Sequence, residues 1–174
     1  MYKNLNKNKH YENLLYNKIV SLSRNKFFYT KLNLKDSFQN RINLIFIHIS
    51  FLFVKIKQVN SNKAFVGFYQ SSFDVIFKKI EQNMRELGHG DVTVNKNMKF
   101  LVKVFYDVLL NCEKYNNKSL DEKNIFLSKH LALNNDKKGV KCNDLVGYFD
   151  KYQSFCLDLS PDKVLKGELN FIYK

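Results

Sequence analysis

Proline is almost missing from this chain: Pro161 stands alone among 174 residues, and glycine occurs only six times. So few breaking residues argue against a turn-rich β fold and favour long helices. No segment shows the clean apolar–polar alternation of a half-buried strand, and there is no internal repeat. Cysteine is scarce as well. Cys112, Cys142 and Cys156 are odd in number and follow no Cys-x-x-Cys spacing, so a disulfide framework has no support. Three free, buried thiols in a reducing compartment are expected, and Cys156 shares a helical stripe with Leu145, Phe149, Tyr152 and Leu159. Arginine is rare: only Arg24, Arg41 and Arg85 among 29 basic residues. Base and phosphate recognition favours the arginine fork, so DNA is not expected as a partner. Long apolar runs are absent too. Residues 42–54 (INLIFIHISFLFV) form a run of 13, interrupted by Asn43, His48 and Ser50 and flanked by Arg41 and Lys55. A bilayer span needs roughly 20 apolar residues. This run is expected to be a central core helix, with His48 hydrogen-bonded inside it.

What is present is a globular composition, 45% hydrophobic and 15% aromatic with 16 Phe and 10 Tyr. A domain of this length buries roughly 70% of its unfolded surface, so a core alone can hold it together. Residues 1–9, with Lys3, Lys7 and Lys9 among asparagines, are expected to be a flexible basic tail, and residues 10–174 one helical domain. The formal charge is +13. Alanine occurs only at Ala64 and Ala132 while Lys, Asn, Ile and Phe abound, a bias of AT-rich coding that accounts for part of that charge. A field of this sign attracts RNA or anionic lipid in a salt-dependent way. The first 16 residues have neither the apolar core of a secretory signal nor the Arg- and Ser-rich character of a transit peptide. The expected location is therefore cytoplasmic, extending to the inner face of the cytoplasmic membrane, or a matrix-like compartment if the chain is organellar.

Helical spacing of apolar residues predicts a single all-α bundle of six or seven helices. The first runs from about His10 to Ser23 with Leu14, Leu15, Ile19 and Leu22 on its apolar side. A connector over residues 24–36 keeps Phe27, Phe28 and Tyr29 for the core. Asp36 or Ser37 caps the apolar helix, and a third helix begins after residues 60–62. The fourth spans about Lys96 to Asn111, with Met98, Leu101, Val102, Phe105 and Leu109 inward and Lys96, Lys99 and Lys103 on another face. Ser119 and Glu122 read as a capping box for a fifth helix reaching about Leu133. A loop over 134–141 leads to a sixth, and Ser160-Pro161 opens a short last one with the serine hydroxyl at its cap.

The junction of the third and fourth helices, residues 73–98 (FDVIFKKIEQNMRELGHGDVTVNKNM), carries the most information. Phe73, Ile76, Phe77, Ile80, Met84 and Leu87 form a stripe expected to be buried. Asp74–Lys78 and Glu81–Arg85 are i, i+4 pairs on another face. Gly88 stands where a helix turns left-handed after its end, and Asn95 is placed to cap the next helix. Nothing here is a catalytic constellation. The histidines His10, His48, His89 and His130 form no ligand cluster, Gly88-His89-Gly90 follows a helix rather than a strand, and Glu81 and Glu86 point in different directions. Neither an enzyme, a metal nor a cofactor is expected.

The spacing of Phe73-Asp74, Phe77, Asn83, Arg85-Glu86-Leu87-Gly88, Gly90-Asp91, Val94, Lys96 and Met98-Lys99 resembles the signature of the ubiquinol–cytochrome c chaperone family. The likeness extends to Leu15-Tyr16, Ile19, Ser23-Arg24, Phe28-Tyr29, Phe38, Arg41, His48, Leu145, Tyr148-Phe149, Leu165 and Gly167. The sequence departs from the pattern at Asp107-Val108, where Gly-Arg is usual, at Lys129-His130, where Arg-Asn is common, and at His89, where the family has an apolar residue. The resemblance implies a non-enzymatic assembly factor for respiratory complex III, the ubiquinol–cytochrome c reductase or cytochrome bc complex. It implies contact with newly made cytochrome b or other subunits of that complex, and with the ribosome and a small partner subunit. Partner contact is assigned to Asp74, Asn83, Arg85 and Glu86 with the corner Gly88, Gly90 and Asp91, and to the row Lys96, Lys99 and Lys103. A purely structural role for the corner remains open. So do two other classes: a basic ribosome- or RNA-binding protein, and a scaffold peripheral to an anionic membrane.

Overall fold

The computed structural model describes the backbone of residues 2–58, 63–134 and 142–173, and the side chains of 10–58, 66–134 and 143–173. Within these, helices α1 (Tyr2–Ser23), α2 (Lys26–Thr30), α3 (Phe38–Gln58), α4 (Lys63–Glu86), α5 (Asp91–Glu113), α6 (Leu120–His130), α7 (Cys142–Asp158) and α8 (Pro161–Leu165) form an all-α bundle. Six are long. The additional α2 is a single turn folded into the expected connector, closed by the Asn25 side chain accepting from the Phe27 N–H at 3.0 Å.

Helix α3 is the axis, touching α1, α4, α5, α7 and α8. Fifteen of its 21 residues are buried, including every residue from Ile42 to Val54, so no side of it is left for lipid. No helix among the described residues is long and apolar enough to cross a membrane. Ser37 caps it as expected, accepting from the Asn40 N–H at 3.2 Å. Towards α4 and α5 the core is aromatic: Phe105 meets Phe46, Phe53, Phe73 and Phe77 at centroid distances of 5.3–6.2 Å. Towards α7, His48 lies among Phe28, Tyr148, Phe149 and Tyr152. The thiols of Cys112 and Cys156 are free and buried, and burial pushes both well up, so they pack as small apolar groups. The side chain of Cys142 lies outside those described.

Several boundaries differ from the sequence reading. Helix α1 begins at Tyr2, ahead of His10, where its apolar pattern starts. Helix α4 ends at Glu86, so Leu87 leaves the stripe and is 64% exposed. Asn95 caps nothing. Helix α5 starts five residues earlier, with Gly90 at its cap position, and Asn95 sits exposed inside it. Asp74 accepts from Gln70 at 2.9 Å, the turn before it, while Glu81–Arg85 pairs as expected at 2.9 Å. The Ser119–Glu122 capping box forms as expected. The Ser160 hydroxyl caps nothing, and only its carbonyl starts α8. The loop expected at 134–141 lies outside the described residues beyond Asn134, as do residues 59–62.

Helix α6 stops at His130, short of Leu133, for a tertiary reason. Residues 131–134 leave the helix to pair with 33–35 through one antiparallel bridge, Leu34 with Leu133. The Lys35 N–H donates to the Ala132 carbonyl and Asn134 N–H to that of Asn33, both at 2.9 Å. Asparagines of α3 lock this pairing. Asn40 Nδ2 donates to the carbonyls of Lys35 and Ala132 at 2.7 Å, its Oδ1 accepts from Ala132 N–H at 2.9 Å, and Asn43 Nδ2 donates to the His130 carbonyl at 2.5 Å.

Two glycines are required by geometry. At Gly88 (φ +86°) the His89 N–H reaches back to the Met84 carbonyl and the Gly88 N–H to that of Arg85, closing α4 in a Schellman motif. At Gly167 (φ +68°) the chain after α8 lies against α1 so closely that a Cβ would stand 2.9 Å from Leu15 N and 3.0 Å from Tyr11 O. Gly88→Ala has open space and is expected to cost about 1 kcal/mol for the left-handed backbone alone. Gly167→Ala adds a clash with backbone and is expected to lower the denaturant midpoint clearly more. Equal shifts for the two would contradict the close packing on α1.

Candidate functional site: a cleft between α1, α3 and α4

The sequence reading grouped Asp74, Asn83, Arg85 and Glu86 on one polar face, and the helix separates them. At 100° per residue, positions 83 and 85 stand about 160° apart. Arg85 turns to the α4–α5 corner, where it bridges Glu81 at 2.9–3.0 Å and Asp91 on the next helix. That brace holds the corner of Gly88 and Gly90 and raises the guanidinium pKa, but the group is fully exposed and already charged, so its energetic value is small. Asp74 lies three turns back and takes no part. Asn83 and Glu86 face the other way.

That other side is a cleft of about 290 Å³. Its floor is Val20 of α1, Ile42 and Ile45 of α3, and Ile80 of α4. Its walls are Tyr16, Asn83 and Glu86, and its mouth carries Phe38, Leu87, Arg24 and Arg41. The exposed Leu87 therefore has a place: it is the apolar lip of this cleft. Two of the chain's three arginines stand at one opening, in a protein whose charge is otherwise lysine.

The two arginines are prepared differently. Arg41 is held by Asp36 through two parallel bonds, Nε to Oδ1 at 2.7 Å and Nη2 to Oδ2 at 2.9 Å, which depress the Asp36 pKa. Arg24 has no acidic partner within salt-bridge distance among the described residues. Its position follows from α2: the Tyr29 hydroxyl donates to the Ser23 carbonyl at 3.0 Å, and the buried Ser23 hydroxyl to the Ile19 carbonyl at 2.9 Å. These bonds fix the end of α1, and Arg24 is the next residue. Burial raises the pKa of Tyr16 and Tyr29, so both stay neutral beside the arginines. A greasy floor under one committed and one uncommitted guanidinium suits an apolar side chain with a carboxylate beside it.

A shallower hollow lies between α3, α5 and α6, lined by Asn40, Asn43, Phe100, Lys103, Asp107 and Lys129 among others. Here two departures from the family pattern meet in space. Asp107 Oδ2 takes a 2.7 Å bond from Lys129 Nζ and lies 2.9 Å from His130 Nε2. The bond from Lys129 lowers the Asp107 pKa, and burial lowers that of His130. Lys96, Lys99 and Lys103 are exposed on α5; only Lys103 reaches the edge of this hollow, and none reaches the cleft. No group of three His, Cys, Asp or Glu among the described residues could hold a metal ion.

Residues 30–171 match the profile of the family described as ubiquinol-cytochrome C chaperone. The chain belongs to that family. As a member it is an assembly chaperone of the ubiquinol–cytochrome c reductase complex, acting by binding protein rather than by catalysis. A solved structure with the same fold is the crystal structure of the Cbp3 homolog from Brucella abortus, with a TM-score of 0.81 at 22% identity over 99% of this chain and 94% of that one. A search of curated proteins returns no significant match. Tyr16, Ser23-Arg24, Phe38, Arg41, Asn83 and Glu86-Leu87 were separate points of resemblance, and all of them line one cleft. Arg24, Arg41, Tyr16 and Phe38 were missed as site residues because no local pattern joins them to Asn83. The early position of the two arginines in a lysine-rich chain was the available signal.

Proposed function

We propose that this chaperone holds newly made cytochrome b, or the subunit that accompanies it, by seating an apolar side chain in the α1–α3–α4 cleft and a neighbouring carboxylate on Arg24. The convergence of three distant segments on that cleft supports the reading. A volume of 290 Å³ admits one or two side chains and no large cofactor, as expected of a peptide grip. Arg24 is exposed and has no acidic partner within salt-bridge distance among the described residues, so it gives up no ion pair there when a client carboxylate arrives. The α4–α5 corner then serves as a brace that keeps Asn83, Glu86 and Leu87 in place. On this reading the protein works on the cytoplasmic or matrix-like side, peripheral to the membrane that receives its client.

The test is charge reversal at the mouth. Arg24→Glu in a strain lacking the wild-type protein is expected to weaken capture of cytochrome b at least tenfold, since a like charge then faces the client carboxylate. The cytochrome bc complex should fall with it while the melting temperature is unchanged. Lys18→Glu, an equal charge change on α1 outside the cleft, should restore the complex normally. Full restoration by Arg24→Glu would remove the cleft from the mechanism.

A further inference from the structure

The outer face of α5 has no role in the cleft, and its composition is unusual. Val92, Lys96, Lys99, Lys103, Tyr106 and Leu110 recur every three or four residues, with Phe100 beside them, so all lie within about 120° of the helix circumference. The row is about 27 Å long. It is bare: Val92 is 84% exposed, Phe100 56% and Leu110 55%. Each acid of α5 is already engaged, Asp91 by Arg85, Asp107 by Lys129 and Glu113 by Lys57. None of the three lysines has an acidic partner within salt-bridge distance among the described residues.

We propose that this face of α5 is a docking surface for an anionic lipid bilayer, with the three lysines on headgroup phosphates and Val92, Phe100, Tyr106 and Leu110 dipping into the interface. The alternation decides the occupant. Lysines alone would suit any polyanion, but exposed aliphatic and aromatic groups between them gain only where an apolar phase lies behind the charge. A second copy of this chain would bring another +13 against the same lysines. The proposal is independent of the cleft, because vesicle binding needs no client.

The chain contains no tryptophan, so Phe100→Trp supplies a single reporter. Its emission should shift to the blue with vesicles of phosphatidylcholine and phosphatidylglycerol, and not with phosphatidylcholine alone. Each lysine is expected to strengthen binding about fivefold, so Lys96→Gln, Lys99→Gln and Lys103→Gln together should weaken co-sedimentation about 100-fold at low salt. The matched triple Lys18→Gln, Lys26→Gln and Lys31→Gln, of equal charge on other elements, should lose far less. Equal losses from both triples would reduce the effect to net charge and overturn the assignment. So would an unshifted tryptophan, or a face that binds homopolymeric RNA through these lysines while vesicle binding is unaffected by their loss.

Discussion

Lowering the pH from 7 to 5 is expected to remove about 2 kcal/mol of folding stability through His48 alone. The side chain is fully buried on α3, and its proton can be placed by hydrogen bonding. Nδ1 lies 2.6 Å from the Leu44 carbonyl, which can only accept, so Nδ1 carries the hydrogen. Nε2 is then the acceptor, and the Tyr148 hydroxyl donates to it at 2.8 Å. The packing rings are Phe28, Phe149, Tyr148 and Tyr152, and burial pushes both tyrosine hydroxyls well up, so none of them carries charge at these pH values. An imidazolium here would have no counter-charge beside it among the described residues, and burial lowers the His48 pKa from 6.5 to about 4, with the Leu44 bond opposing.

The direction follows from proton counting. Above pH 6.5 neither the folded nor the unfolded chain protonates this ring, and its contribution is whole. Between 6.5 and about 4 the unfolded chain binds a proton that the folded one refuses, so stability falls with pH, by about 3 kcal/mol in total. Below the folded value both forms bind it and the loss stops growing. Urea unfolding at pH 7 and pH 5 measures the slope. Carboxylates and His130 add to the same trend, so the decisive quantity is the difference between the wild type and His48→Gln. That variant should flatten the slope whatever it does to stability at pH 7. An unchanged slope would mean that His48 is not the group responsible.

Asn40→Ala is expected to destabilise the protein by about 3 kcal/mol, a drop of roughly 6–12 °C in melting temperature for a chain of this length. The side chain is buried and uses both Nδ2 hydrogens and Oδ1 at 2.7–2.9 Å, joining α3 to Lys35 on one side and Ala132 on the other. Truncation leaves the Ala132 N–H without its acceptor and the Lys35 carbonyl without its donor, and the Ala132 carbonyl keeps only the Lys35 N–H, at the point where residues 131–134 meet 33–35. The more telling variant is Asn40→Asp, nearly the same shape. It keeps the bond from Ala132 N–H but sets a carboxylate against two carbonyl oxygens, so it should be at least as damaging as alanine. A mild effect of aspartate would show that the amide donors are not what holds the junction.

The helices were legible because their apolar residues repeat at helical spacing and the packing agrees. Phe73, Ile76, Phe77, Ile80 and Met84 face the core as expected, as do Leu101, Phe105 and Leu109. His48 was readable as a buried, hydrogen-bonded residue because it interrupts an apolar run in which nothing else could satisfy it. Local signals at helix ends were less dependable. Ser119 and Gly88 act as they read, whereas Asn95 and Ser160 were outcompeted by backbone geometry set a few residues away. The grouping of Asp74, Asn83, Arg85 and Glu86 on one face gave way for a simple reason: proximity in sequence around residues 83–86 spreads side chains around the whole helix.

From the residue order alone came the all-helical class, the buried stripes, the lysine row on one face of α5 and, through Phe73 to Lys99, the family. These rest on interactions within a few residues of one another, where helix periodicity dictates which groups share a side. The cleft, the junction at Asn40 and the meeting of Asp107 with Lys129 belong to the folded molecule. Each includes groups 22 or more positions apart, brought together only when burial of α3 draws α1, α4, α5 and α6 around it.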